Sequence, residues 1–115
     1  MREIKFRGQG IVSGNWYFGY YVYRGNHHCI IEEDGTIVKV DPETVGQYTG
    51  RKDKEGQEIY EGDIAKLNYS SIGFRHGIKG AIEFNKGAYL FNSENTQFKR
   101  LLEDCNDIKL IGNIY

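Results

Sequence analysis

Trp16-Tyr17-Phe18-Gly19-Tyr20-Tyr21-Val22-Tyr23 is the longest apolar stretch of the sequence. It is aromatic and β-branched, with no Ala, Leu or Glu, so it reads as a strand rather than a helix. Successive side chains of a strand point to opposite faces. One face therefore carries Trp16, Phe18, Tyr20 and Val22, and the other carries Tyr17, Tyr21 and Tyr23 around Gly19. A strand with one wet face alternates apolar with polar residues. Here both faces are aromatic. Either the strand is sandwiched inside the molecule, or one face meets a partner. Tyr suits both, because its ring packs while its hydroxyl stays wet.

The reading extends outward from that strand. Upstream, a short strand at Ile4–Phe6 passes through Gly8 and Gly10 to a turn at Ser13-Gly14-Asn15. Downstream, Arg24-Gly25-Asn26 is a tight turn whose Gly and Asn suit positive φ. Strands follow at His28–Glu32 and Thr36–Val40, separated by the turn Glu33-Asp34-Gly35, and together these elements form an antiparallel meander. Asp41-Pro42-Glu43-Thr44 has an N-cap Asp, Pro at the first helical position and an acid in the first turn. Gly46 ends it after one turn. Lys52–Gln57 is a charged, Gly-containing loop.

The second half opens with the sharp turn Glu61-Gly62-Asp63 and a strand from Ile64 to Tyr69. Ser70–Gly77 reads as a loop. Ala81–Phe84 is a strand with Ile82 and Phe84 inward, and Asn85-Lys86-Gly87 turns it into another at Ala88–Asn92. Leu101–Asp104 forms one helical turn. The last strand, Ile108–Tyr115, places Ile108, Leu110 and Ile114 on one side. Short strands at this spacing build a small barrel or rolled sheet. The expected organisation is residues 1–57 as the meander and 58–115 as the small barrel.

Composition narrows the function classes. The chain has 115 residues and 13.3 kDa, the size of an ordinary domain. Fifteen Lys and Arg against sixteen Asp and Glu leave a formal charge of −1, which excludes a polybasic nucleic-acid binder and an acidic tail. The charged start, Met1-Arg2-Glu3-Ile4-Lys5, lacks the apolar core of a signal peptide. No run approaches the ~18 apolar residues of a membrane span. Cys29 and Cys105 read as reduced thiols. These features predict a cytoplasmic protein without a membrane partner.

No chemistry-bearing motif stands out. His27, His28 and Cys29 alternate across a strand and supply too few ligands for a zinc site, with His76 and Cys105 far away in sequence. Glu61 and Asp63 could hold a cation or share a proton, but such a pair at a strand-entry turn more often binds backbone N–H groups. Glu32-Glu33-Asp34-Gly35 lacks the ligand pattern of a calcium loop. The glycines follow no phosphate-loop order and no nucleophile elbow is present. The residues therefore point to no catalytic group, no metal and no cofactor.

Several segments together resemble one family. They are Lys5-Phe6-Arg7-Gly8, Gly14-Asn15-Trp16 with Gly19-Tyr20, and Val40-Asp41-Pro42-Glu43-Thr44-Val45-Gly46-Gln47-Tyr48-Thr49-Gly50. Lys52–Gln57 running into Glu58-Ile59-Tyr60-Glu61-Gly62-Asp63, and the terminal Ile111-Gly112-Asn113-Ile114-Tyr115, complete the set. The chain resembles the YopX family of phage and prophage proteins, from residue 5 to its last residue. The resemblance implies a mainly β fold containing an SH3-like small barrel, and a phage or prophage origin in a bacterial host. The family is one of unknown function and supplies no catalytic residues. Its members continue past Ile-Gly-Asn-Ile-Tyr with Glu-Asn-Pro-Glu, whereas this sequence stops at Tyr115.

The expected fold is thus mainly β, an antiparallel meander packed with an SH3-like small barrel and one or two single-turn helices. The expected function is non-catalytic binding or self-assembly, with a second copy or a phage or host protein as partner. Tyr17, Tyr21, Tyr23 and Arg24 are the expected protein interface. The alternative is weak single-stranded nucleic-acid binding by the barrel through Tyr69, Phe74, Arg75, His76 and Lys79. A small-molecule or metal-dependent enzyme is the remaining alternative.

Overall fold

The computed structural model describes residues 4–69, 74–93, 99–105 and 107–115, and for residues 68, 69 and 74–76 it describes the backbone alone. The protein is mainly β, with antiparallel sheets and isolated single turns of 3₁₀ helix. Two compact units are present, Met1–Gly50 and Arg51–Tyr115. The sequence reading set the division after Gln57. The physical tie of the intervening loop to the second unit is Asp53, described below.

In the first unit, β1 (Phe6–Gln9), β2 (Trp16–Arg24), β3 (His27–Ile31), β4 (Ile37–Lys39) and β5 (Gly46–Lys52) are ordered β4-β3-β2-β1-β5. The meander expected from the turns is present. β1 starts two residues later than expected and runs straight through Gly8. β5 was not anticipated, because Gly46, Gly50 and polar residues mask its pattern. The 3₁₀ turn Pro42–Thr44 is capped as the sequence predicts, the Asp41 side chain accepting from the Glu43 N–H at 3.0 Å.

This sheet rolls. The chain leaving β1 reaches β4, where Gly10 bridges Val40, the Ile11 N–H donates to the Lys39 carbonyl, and the Asp41 N–H donates to the Gln9 carbonyl. Gly8 lets the seam pack closely, since a Cβ there would lie 3.1 Å from the Val40 side chain. Val40 and Ile30 are completely buried on the inner face. Each such side chain removed from water contributes roughly 1.5–3 kcal/mol.

In the second unit, β7 (Asp63–Tyr69), β8 (Phe74–Asn85), β9 (Ala88–Ser93), β10 (Lys99–Leu101) and β11 (Ile108–Asn113) form a sheet ordered β10-β9-β8-β7-β11. β6 (Glu58–Tyr60) precedes it, and the 3₁₀ turn Leu102–Asp104 follows β10. Among the described residues no ladder closes this sheet into a barrel. Ala65, Leu67, Ile82, Phe91, Leu102 and Ile108 cluster as its core.

Three sequence expectations are corrected here. β8 begins at Phe74, inside the stretch read as a loop: Gly80 breaks the apolar pattern but still pairs with Ala65, and the ladder continues past an irregularity at Gly77 to pair Phe74 with Tyr69. Phe84 does not turn inward; it is half exposed and tilts against Tyr89 at 4.9 Å. Ile114 is exposed, because β11 carries a bulge at Ile111 that shifts the register and the strand ends at Asn113.

Candidate functional site

The two faces of β2 have different fates. On the inner face Tyr21 pairs with Ile30, and Ile30 pairs with Val38. Tyr21 tilts against Phe6 with ring centroids 5.9 Å apart, and its hydroxyl shares a hydrogen bond with Nδ1 of His28. His28 stacks on Tyr21 and is covered at 4.9 Å by Tyr23. The Tyr17 hydroxyl lies 3.0 Å from Ser13 Oγ. The roll therefore turns two of the four expected interface residues inward. Tyr17 and Tyr21 are half-buried with partners in their own unit. Tyr23 and Arg24, at the strand's end, are exposed.

The outer face holds what the sequence reading passed over. Tyr20 lies opposite Ile31, and Ile31 lies opposite Ile37, so the three form one cross-strand row. Phe18 sits next along β2, opposite Arg7. Exposures are 45% for Phe18, 65% for Tyr20 and 50% for Ile37. An open groove of about 300 Å³ runs here between Ile4, Phe18, Tyr20 and Ile31, with Lys5 and Glu33 as its charged lining. Beside Phe18, on the same face, the Arg7 guanidinium lies 4.4 Å from the Trp16 ring centroid, and Arg7 is buried. The signal for this face was in the alternation of β2, but alternation does not say which side a sheet will curl toward.

The acids of the second unit bind backbone. Asp63 is buried, and its Oδ2 accepts from the Tyr60 N–H at 2.8 Å, while the Tyr60 hydroxyl donates to Glu58 at 2.9 Å. Asp53 is also buried. Its Oδ1 accepts from the N–H groups of Glu55 and Gln57, each at 2.9 Å, and its Oδ2 accepts from the Leu110 N–H at 3.0 Å. Burial alone would raise the Asp53 carboxyl, but those three N–H donors and the charge of Lys109 outweigh it and hold it below 3.8. Arg51 donates to the carbonyls of Leu102 and Cys105 at 2.9 and 3.0 Å, closing the second 3₁₀ turn.

Among the described residues no three His, Cys, Asp or Glu side chains gather as metal ligands. Cys29 is buried in β3 and His27 is exposed beside it. Both cysteines are free thiols. Of the residues expected to bind nucleic acid, the side chains of Tyr69, Phe74, Arg75 and His76 lie outside the described residues, and Lys79 is exposed on β8.

The turn Tyr60-Glu61-Gly62-Asp63 meets the end of the chain. Gly62, at φ 92°, carries the Tyr115 ring so closely that a Cβ would sit 2.9 Å from it, and the Ile114 N–H donates to the Gly62 carbonyl at 2.9 Å. The family described as YopX protein matches residues 18–115, a span that includes both segments. The chain belongs to the YopX family. The match starts at Phe18, so Lys5–Gly8 and Gly14–Trp16 precede it. A comparison with curated proteins gave no match. The YopX residues with the most distinctive spacing, from Lys52 to Asp63, thus act as turn and staple residues. Asp53 fastens the loop to β11, and Gly62 with Asp63 shapes the entry to β7.

Proposed function

We propose that this YopX family protein is a non-catalytic binding module, and that it self-associates through the outer face of its first sheet. One observation carries the reading: Phe18, Tyr20, Ile31 and Ile37 occupy adjacent outward positions, and three of them are about half exposed or more. Exposed apolar side chains scattered singly need no explanation, whereas a contiguous patch with a polar rim marks a contact surface. A second copy fits the groove best. The groove's charged lining is one cation and one carboxylate, Lys5 and Glu33, so a two-fold contact that brings Lys5 of one copy to Glu33 of the other forms that pair twice. A formal charge of −1 adds little repulsion between copies. Tyr23 and Arg24 would extend the contact at its margin. Phage or prophage origin and action in the bacterial cytoplasm belong to the same reading, on the strength of the family.

Light scattering on purified protein, from micromolar to millimolar concentration, tests it. A dimer mass that falls to the monomer in Tyr20→Lys or Ile37→Glu, but not in Tyr21→Phe, supports the proposal. A monomer at every concentration refutes self-association.

A further inference from the structure

The even charge balance of the sequence conceals an ordered array in the second unit. In the ladder between β11 and β7, Lys109 lies directly opposite Lys66. In the ladder between β7 and β8, Lys66 lies directly opposite Lys79. Three lysines thus form one row across three adjacent strands. The row is on the outer face: the alternating neighbours Ala65, Leu67 and Ile82 point into the core, while Lys79 and Lys109 are exposed and Lys66 is half-buried. Lys99 stands on the same face, opposite Asn92, which is itself opposite Ala81. Glu55 lies 3.4 Å from Lys109. Among the described residues neither Lys66 nor Lys79 has a carboxylate partner.

Like charges directly opposite one another destabilise a sheet. Strands lie about 4.8 Å apart, so the row holds three cations within roughly 10 Å. A fold gains nothing from this arrangement; a polyanion does. We propose that this face binds the phosphate backbone of single-stranded nucleic acid, independently of base sequence. The cations are in line rather than convergent, which suits a linear polyanion better than a single anion. A flexible single strand can lay successive phosphates along the row, whereas a stiff duplex holds its phosphates at fixed positions. A membrane-binding surface sets exposed apolar anchors beside its cations, whereas the positions next to this row are the half-buried Ile64 and Ala81, with Asn92, Glu83 and Lys99 beyond them. This surface is separate from the aromatic patch of the first sheet, and neither proposal depends on the other.

The test is fluorescence anisotropy with a labelled oligo-dT of about 20 nucleotides. Three phosphate contacts on a single strand predict affinity falling about 20-fold between about 50 and 200 mM salt. Lys66→Ala combined with Lys79→Ala should weaken low-salt binding at least about 10-fold, while Lys39→Ala, in the first unit, leaves it unchanged. The double variant should also keep or raise its urea midpoint, because a like-charge pair is gone, so its lost binding cannot be lost folding. Absence of binding at low salt overturns the proposal. So does undiminished binding by the double variant, or equal affinity for duplex DNA or for anionic phosphatidylserine vesicles.

Discussion

Asp53 and Leu110, 57 positions apart, are joined by a 3.0 Å hydrogen bond from the Leu110 N–H to the buried carboxylate. The same carboxylate holds Glu55 and Gln57, and the Lys54 N–H donates to the Ile108 carbonyl. One side chain therefore shapes its own loop and also holds the Leu110 N–H of β11, while the backbone of the next residue, Lys54, holds the Ile108 carbonyl. Hydrogen bonds to a charged group contribute about 1.5–3 kcal/mol each, and they share a partner here. Asp53→Ala should cost about 3 kcal/mol, and Asp53→Asn about half of that. Urea unfolding measures both; a change below about 0.5 kcal/mol for Asp53→Ala would refute the staple.

The same carboxylate predicts a pH dependence. Its value in the folded chain lies below 3.8. A depressed carboxyl contributes stability that is fully present above the unfolded value and lost as pH falls through the folded one. Stability should therefore decline on acidification below roughly pH 4, and less steeply in Asp53→Asn. Equal slopes for the two proteins would remove Asp53 from the explanation.

Gly62→Ala places a methyl group at positive φ against the Tyr115 ring. Positive φ at a residue with a Cβ costs of order 1–3 kcal/mol, with the contact added to it. Tyr115→Ala in the Gly62→Ala background should recover only the contact portion. Full recovery would mean that the backbone carries no strain, which a double-mutant cycle by thermal unfolding resolves.

Adjacent tyrosines of β2 should respond oppositely. Tyr21→Ser removes a ring packed on Phe6 and His28 and should destabilise by about 2–3 kcal/mol. Tyr20→Ser should fall within about 0.5 kcal/mol of the parent while weakening self-association. Denaturant midpoints and solution mass, taken on the same samples, separate these outcomes.

Cys105 is completely buried, and burial pushes its thiol above 9.0, with Asp104 adding to the rise and Arg100 and Arg51 opposing it. Cys29 is 5% exposed. Reaction of the native protein with a thiol-disulfide reagent should be slow at both residues and become rapid in urea. Fast native labelling at either would contradict the burial.

The aromatic run, the tight turns and the Asp-Pro cap were legible in the sequence because each is a local signal. β5 and β10 were not, since each has a single large apolar residue, Tyr48 or Leu101, among polar residues and glycine, and shows no alternation. The direction of curl was also invisible. It brings Gly8 against Val40, 32 positions away in the chain, and it decides whether Tyr20 or Tyr21 faces water. The lysine row was hidden for a related reason: Lys66, Lys79 and Lys109 are remote in sequence, and only register aligns them. The acids Asp53 and Asp63 were legible as turn residues, but the reach of Asp53 to Leu110 was not.

The seam at Gly10 and Val40 sets an order of events for the first unit. Hairpins between neighbouring strands close short loops, but the seam spans thirty positions and needs both borders already in place. It is the last part of the ribbon to zip shut and the first to unzip. In hydrogen–deuterium exchange, the amides of Ile11 and Asp41 should take up label ahead of those in the middle of β2 and β3. That ordering would mark the cuff's fastening as its weakest stitch.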